Sequence, residues 1–283
     1  MTSNHTTASL LEAAAWRLQG LSQVAWLDAE LLLAHHLRTT RARLKSHPED
    51  RHPLESAAGF LALIERRAAG EPLAYIVGHK DFWTLRLAID ARVLVPRPET
   101  ELLIERALAR GPERAGSVAD LGTGSGAIVL ALASERAEWR LVATDVAEDA
   151  LECARRNAAA LGLRHIEFVL GDWLAPLASQ RFDVIVSNPP YIAAADPALD
   201  APELKYEPRL ALAAGPDGLA CLRTIVRQAP EHLASGGWLL LEHGAAQAAA
   251  VRHELVLAGC RYVRSHRDLA GHERITEGQY DPL

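Results

Sequence analysis

Ser117-Val118-Ala119-Asp120-Leu121-Gly122-Thr123-Gly124-Ser125-Gly126-Ala127-Ile128-Val129-Leu130-Ala131-Leu132-Ala133 is the stretch that decides the fold. A short apolar run predicts a strand over 117–121, and the apolar, helix-permissive run after Gly126 predicts a helix over 127–136. The three glycines between them let the backbone turn sharply and approach a ligand with no Cβ in the way. Downstream the same grammar repeats: strands are expected at 141–145, 166–170, 182–187 and 238–242, with helices over 147–161 and 217–234 between them. Residues 261–280 read as two more strands around a polar turn at Gly271. Short strands alternating with longer helices predict a doubly wound, mostly parallel sheet of the Rossmann-like kind, here seven-stranded and closed by an antiparallel hairpin.

Such sheets bind ligands at the carboxyl ends of their strands. Asp145 ends the second strand, nineteen positions after Gly126, where a carboxylate can accept from both hydroxyls of a ribose. Asp172-Trp173 follows the third strand and offers an acceptor and a flat apolar surface to an adenine ring. A nicotinamide dinucleotide is the competing ligand, but its loop reads G-x-G-x-x-G and aims a helix start at a diphosphate. Here the spacing is G-x-G-x-G, and the acidic Asp120 that opens it suits a cationic sulfonium better than a diphosphate. Asp120, Gly122, Thr123, Gly124, Ser125, Gly126, Asp145, Asp172 and Trp173 are therefore expected to bind S-adenosylmethionine, with S-adenosylhomocysteine as product.

Asn188-Pro189-Pro190-Tyr191 stands after the strand at 182–187, where the acceptor of the methyl group should lie. Two prolines remove two backbone donors and keep the chain extended, leaving carbonyls and the Asn188 side-chain oxygen to accept from an NH2 group. Tyr191 can stack on a planar acceptor. Read alone, the tetrapeptide fits a planar amide or amino nitrogen, in glutamine or adenine alike.

Upstream, 9–69 reads as helices, with Leu10, Leu11, Ala14 and Leu18 at helical spacing, then 25–37 and 54–69. The runs 74–77 and 85–89 suggest a β-hairpin that links the helical part to the sheet. The expected organisation is a helical bundle over 1–72, a hairpin linker over 73–95 and a catalytic domain over 96–283. The chain has 283 residues, a net charge of −6 and 49% apolar residues. This acidic balance argues against duplex nucleic acid as the main partner. Arg38, Arg41, Arg43 and Lys45 form a small basic cluster that reads first as a solvated face. No apolar run reaches the length of a membrane span, and the polar start lacks the regions of a signal peptide, so a cytoplasmic, membrane-free protein is expected. Three separated cysteines, Cys153, Cys221 and Cys260, read as reduced packing residues, and the histidines show no metal-ligand spacing.

Several separate blocks resemble the HemK/PrmC-type release-factor glutamine methyltransferases over nearly the whole chain. They are Gly70 to Gly78, Pro96-Arg97-Pro98-Glu99-Thr100-Glu101, Asp120 to Gly126, Asn188 to Tyr191, Glu207-Pro208 with Ala211-Leu212, and Arg267 to Gly271 with Glu273-Arg274. The resemblance implies a monomeric enzyme that methylates the side-chain amide of the glutamine in the Gly-Gly-Gln motif of class 1 peptide chain release factors. The helical domain would grip that partner. It also implies that Asn188 contacts the cofactor region, that Asn188, Pro189, Pro190 and Tyr191 hold the glutamine, and that Arg97 and Glu99 shape the substrate mouth, unless they serve as cap and salt bridge. The rival functions are a ribosomal-protein glutamine methyltransferase, an adenine-N6 methyltransferase of DNA or RNA, which would need a recognition segment and a basic channel, and a noncatalytic cofactor-binding regulator.

Overall fold

The computed structural model describes residues 5–281, which fall into two compact units: 5–79 with 201–206, and 80–200 with 207–281. In the first, α1 (Thr7–Leu18), α2 (Ala25–His36), α3 (Arg41–Ser46), α4 (Leu54–Ala68) and α5 (Leu73–Val77) follow one another, and β1 (His5–Thr6) pairs with β2 (Arg51–His52). Thr6 caps α1 in a reciprocal bond with Ser9. Leu10, Leu18, Leu32, Leu33, Phe60 and Ile64 form the bundle's core. Two buried acids sit in that core. Asp28 takes Arg67 at 2.8 Å, and Arg67 also reaches Glu203 at 2.7 Å. Glu30 takes Arg41 and Lys45. The predicted basic cluster is thus partly neutralised within its own unit, since Arg43 also pairs with Asp50.

The expected strand at 74–77 is helical instead. Pro72 supplies the fixed φ that starts α5, and Gly78, at φ +80°, ends it in the left-handed region. The hairpin lies one step later, as β3 (His79–Phe82) and β4 (Leu85–Ala88).

In the second unit α6 (Glu101–Arg110) precedes β5 (Ser117–Leu121), α7 (Ala127–Glu135), β6 (Arg140–Asp145), α8 (Glu148–Leu161), β7 (Ile166–Leu170), β8 (Phe182–Ser187), α9 (Ala220–His232), β9 (Leu233–Glu242), α10 (Ala248–Leu257), β10 (Cys260–Arg267) and β11 (Glu273–Tyr280). The seven strands lie in the order β10-β11-β9-β8-β5-β6-β7, with β11 antiparallel to both of its neighbours and the rest of the ladder parallel. The inner strands are buried on both faces: β5 shows Val118, Ala119, Asp120 and Leu121 at 0–1% exposure, as expected of a sheet covered by helices on both sides. The order reverses between β5 and β8. There the Ser187 hydroxyl donates to the Leu121 carbonyl at 2.7 Å and ties the two strand ends together.

Candidate active site

The switch between β5 and β8 opens a cavity of about 470 Å³, the place where open α/β sheets hold ligands. Gly122 and Gly124 lie on its wall after β5, Asp145 to Ala147 after β6, Gly171 to Trp173 after β7, and Asn188 and Pro190 after β8. Residues 92–94, Pro208, Leu210, Ala211, Ala213 and Cys221 complete it.

The loop's geometry comes from its glycines. Gly122, Gly124 and Gly126 have φ of +70°, +56° and +83°, a region that costs an L side chain about 1–2 kcal/mol. A Cβ on Gly122 would meet the Trp173 ring at 3.0 Å, whereas one on Gly124 would meet no protein atom within 4 Å. The backbone N–H groups of Gly122 and Thr123 both donate to the Thr144 carbonyl at 2.9 Å, which fixes the loop on β6.

Asp145 is held by that same loop. Its Oδ2 accepts from Gly124 N at 2.9 Å and its Oδ1 from Ala147 N at 3.0 Å. A carboxylate has about four acceptor positions, more than these backbone bonds occupy. Burial raises its pKa, against the opposing effect of the backbone donors. A carboxylate on the cavity wall beside a glycine cradle can accept from a ribose hydroxyl, and Trp173, partly buried against the sheet's core, gives the cavity a flat wall.

Other predicted residues stand off the wall. Asp120 is fully buried beneath the loop, where its Oδ2 accepts from the Thr123 hydroxyl at 2.7 Å and from Val129 N at 3.2 Å. It is no part of the cavity wall, contrary to the expected contact with a sulfonium, and desolvation pushes it up to about 7. Thr123 and Ser125 are buried in the turn. A Cβ at Gly126 would strike Leu130 at 2.9 Å, so this glycine serves the packing of α7. Arg97 pairs with the buried Glu207, which also accepts from Val95 N at 3.1 Å. That contact joins the block at 96–101 to Glu207-Pro208 and makes Arg97 a brace of the wall. Glu99 lies in a short 3-10 turn, half-buried and off the wall.

Asn188 has one donor committed: its Nδ2 donates to the Thr100 hydroxyl at 3.1 Å, and that hydroxyl donates to Glu242 Oε2 at 2.7 Å. Pro189 is buried and Pro190 reaches the wall. Tyr191 is off the cavity wall, packed against the sheet's core, and burial pushes its hydroxyl up to about 12. Arg92, Val93, Leu94 and Cys221 were not picked out as ligand-binding from the sequence, since neither a short mixed loop nor a lone cysteine carries a recognisable pattern. Asn157 was missed as well. From α8 it bonds both backbone groups of Ala88 and the Ser125 carbonyl, stapling the hairpin to the glycine loop.

The strand order, with β11 reversed beside β9 and a glycine-floored cavity at the β5–β8 switch, is that of the Rossmann-like methyltransferases. A methyltransferase from Pyrococcus furiosus shares this fold at a TM-score of 0.53 and 20% identity, covering 70% of this chain and 89% of that one. The family model of the methyltransferase small domain matches residues 98–202 and that of the PrmC N-terminal domain residues 9–78. A release factor glutamine methyltransferase of Xylella fastidiosa is 48% identical over 276 residues, 96% of this chain and 97% of that protein. One from Escherichia coli is 44% identical over 253 residues, covering 89% and 91%. The chain belongs to the release factor glutamine methyltransferase family.

Proposed function

We propose that this protein transfers a methyl group from S-adenosylmethionine to the side-chain amide nitrogen of the glutamine in the Gly-Gly-Gln motif of class 1 peptide chain release factors. The observation that carries this reading is the orientation of Asn188 on the cavity wall. With its NH2 group bound to Thr100, the free Oδ1 is a pure acceptor for an incoming N–H. S-adenosylmethionine, when bound, supplies an electrophilic methyl on a sulfonium sulfur. Gly122, Gly124, Asp145, Asp172 and Trp173 would hold it, and S-adenosylhomocysteine would leave. Thr123, Ser125 and Gly126 shape the loop from behind, and Asp120 keeps it closed.

An amide nitrogen is a poor nucleophile because its lone pair is shared with the carbonyl. Asn188 Oδ1 and the carbonyls of the Pro189-Pro190 stretch accept from its two N–H groups, orienting the nitrogen and favouring the positive charge that grows on it. Neither asparagine nor proline can serve as a base, so the side chains of this stretch act by placement. Orientation of this kind can contribute up to about 7–11 kcal/mol to lowering a barrier. Tyr191 anchors the end of the tetrapeptide, and Arg97, through Glu207, the block before α6; Glu99 stands beside it.

The reading also assigns the helical unit, with 1–72 as its sequence-defined core, 73–95 as linker and 96–283 as catalytic domain, to recognition of the release factor. It places the protein in the cytoplasm as a monomer that needs no nucleic acid. An adenine would satisfy the same acceptors, and family membership favours glutamine over it and over a ribosomal protein. Mass spectrometry of release factors from cells with and without this chain tests the substrate: the Gly-Gly-Gln glutamine should lose 14 Da only in cells lacking it, an approximate mass for one CH2. Unmodified glutamine in both would refute the claim. Asn188→Ala should lower kcat about a hundredfold or more while S-adenosylmethionine still binds. Near-normal turnover in that variant would remove Asn188 from its role.

A further inference from the structure

Glu242 ends β9 with a carboxylate that is 1% exposed, and its bond to Thr100 leads to the head of the acceptor tetrapeptide. Through the Thr100 hydroxyl it reaches the Asn188 carboxamide, at 2.7 and 3.1 Å. We propose that Glu242 and Thr100 are positioning residues that fix the polarity of the Asn188 carboxamide and thereby make the site select an amide over a carboxylate.

A hydroxyl has one proton. Thr100 gives it to Glu242, so toward Asn188 only lone pairs are left, and these accept the carboxamide NH2. The flipped carboxamide would set its oxygen against those lone pairs, two acceptors facing one another. With the NH2 committed inward, only Oδ1 is presented outward. An incoming glutamine amide can donate to it, whereas a glutamate carboxylate, with acceptors alone, is repelled. The threonine occupies the one place where a short hydroxyl can bridge Asn188 and Glu242, at 3% exposure and beyond the reach of competing water.

This inference rests on the glutamine reading above. The test compares wild type, Thr100→Val and Thr100→Ser on a Gly-Gly-Gln peptide, with the matching Gly-Gly-Glu peptide as competitive inhibitor. Valine keeps the shape and removes the bridge. It should lower kcat about tenfold to a hundredfold and tighten inhibition by the glutamate peptide about tenfold, because the freed NH2 can then turn outward. Serine, which retains the hydroxyl, should restore both. In an Asn188→Ala background the threonine substitution should add little, since its effect travels through Asn188. Equal kcat and equal discrimination in Thr100→Val, or a full additional loss in the Asn188→Ala background, would overturn the proposal. The side-chain amide resonances of Asn188, followed by NMR with S-adenosylhomocysteine present, give a readout that does not depend on turnover. Slow exchange in wild type and fast exchange in Thr100→Val support the bridge even if the wild type fails to methylate glutamine, a failure that would count against the substrate reading alone. Fast exchange in both would overturn it.

Discussion

Replacing Gly122 by alanine separates two costs that the structure places on one residue. The first is backbone: at φ +70° a Cβ costs about 1–2 kcal/mol. The second is packing, for that Cβ would stand 3.0 Å from Trp173 Cζ3 and 3.6 Å from Cη2. Trp173 is itself at φ +50° and packed against the sheet's core, so its ring can yield only toward the cavity. Overpacking of this kind adds about 1–3 kcal/mol. Gly162 isolates the first cost: at φ +74°, where α8 ends, its Cβ would meet nothing within 4 Å. Gly162→Ala should therefore lose about 1–2 kcal/mol of stability and bind S-adenosylmethionine normally. Gly122→Ala should lose about 1–3 kcal/mol more, which in a chain of this size lowers Tm by roughly a further 2–10 °C. Its Kd for S-adenosylmethionine should rise at least tenfold, or about 1.4 kcal/mol, as the displaced ring narrows the cavity. Differential scanning calorimetry and isothermal titration on both variants decide the matter. Equal stability losses with an unchanged Kd in Gly122→Ala would show that the Trp173 contact constrains neither the loop nor the ligand.

Asp145→Ala should weaken binding of S-adenosylmethionine by about tenfold to a hundredfold in a calorimetric titration, since it removes the acceptors proposed for the ribose and frees the N–H groups of Gly124 and Ala147. Asp120 links stability to pH: burial raises it from 3.8 to about 7, so between those values the folded protein keeps a proton that the unfolded chain has lost. Its contribution is thus full below pH 3.8 and is lost as pH rises through 7. In urea melts, Asp120→Asn should flatten that decline by up to about 1.4 kcal/mol per pH unit, and an unaltered slope would exclude it as the source. Glu277, fully buried on β11, accepts from Arg106, Arg110 and Arg264, which hold it down at about 2 against the desolvation that would raise it. Glu277→Gln should cost about 3–5 kcal/mol, whereas Glu65→Gln, which removes the exposed pair with Arg17, should cost about 0–1 kcal/mol in the same melts.

What could be read from the sequence was whatever backbone conformation or burial writes into single residues. Gly122, Gly124 and Gly126 declare left-handed φ, and the strands at 117–121 and 182–187 declare burial on both faces, so the sheet and its switch point followed. The misreading at 74–77 has the same origin. Tyr75, Ile76 and Val77 favour a strand, but Pro72 and Gly78 bracket five residues as a helical turn, and the brackets outweigh the propensity. Asp120 was assigned by charge to the ligand, yet it is buried beneath the loop, and one of its carboxylate oxygens is taken by Thr123 and Val129 inside the turn. Contacts between distant positions were not legible at all. Arg97 with Glu207 is separated by 110 positions and Thr100 with Glu242 by 142, and nothing local in either partner signals the other.

The helical unit is also discontinuous in sequence. Arg67 closes it by binding Asp28, already present, and Glu203, which lies 136 positions later; Gly70 leaves room for Pro202, and Tyr206 donates to the Ala69 carbonyl. A ribosome making this chain therefore releases the five helices long before the segment that completes them, and at about 5–20 residues per second the wait lasts roughly 7–27 seconds. During that interval Arg67 has one of its two carboxylate partners and Gly70 faces solvent. A truncation after residue 79 reproduces that half-finished state permanently, and a fragment starting at residue 80 carries the finishing piece with nothing to finish.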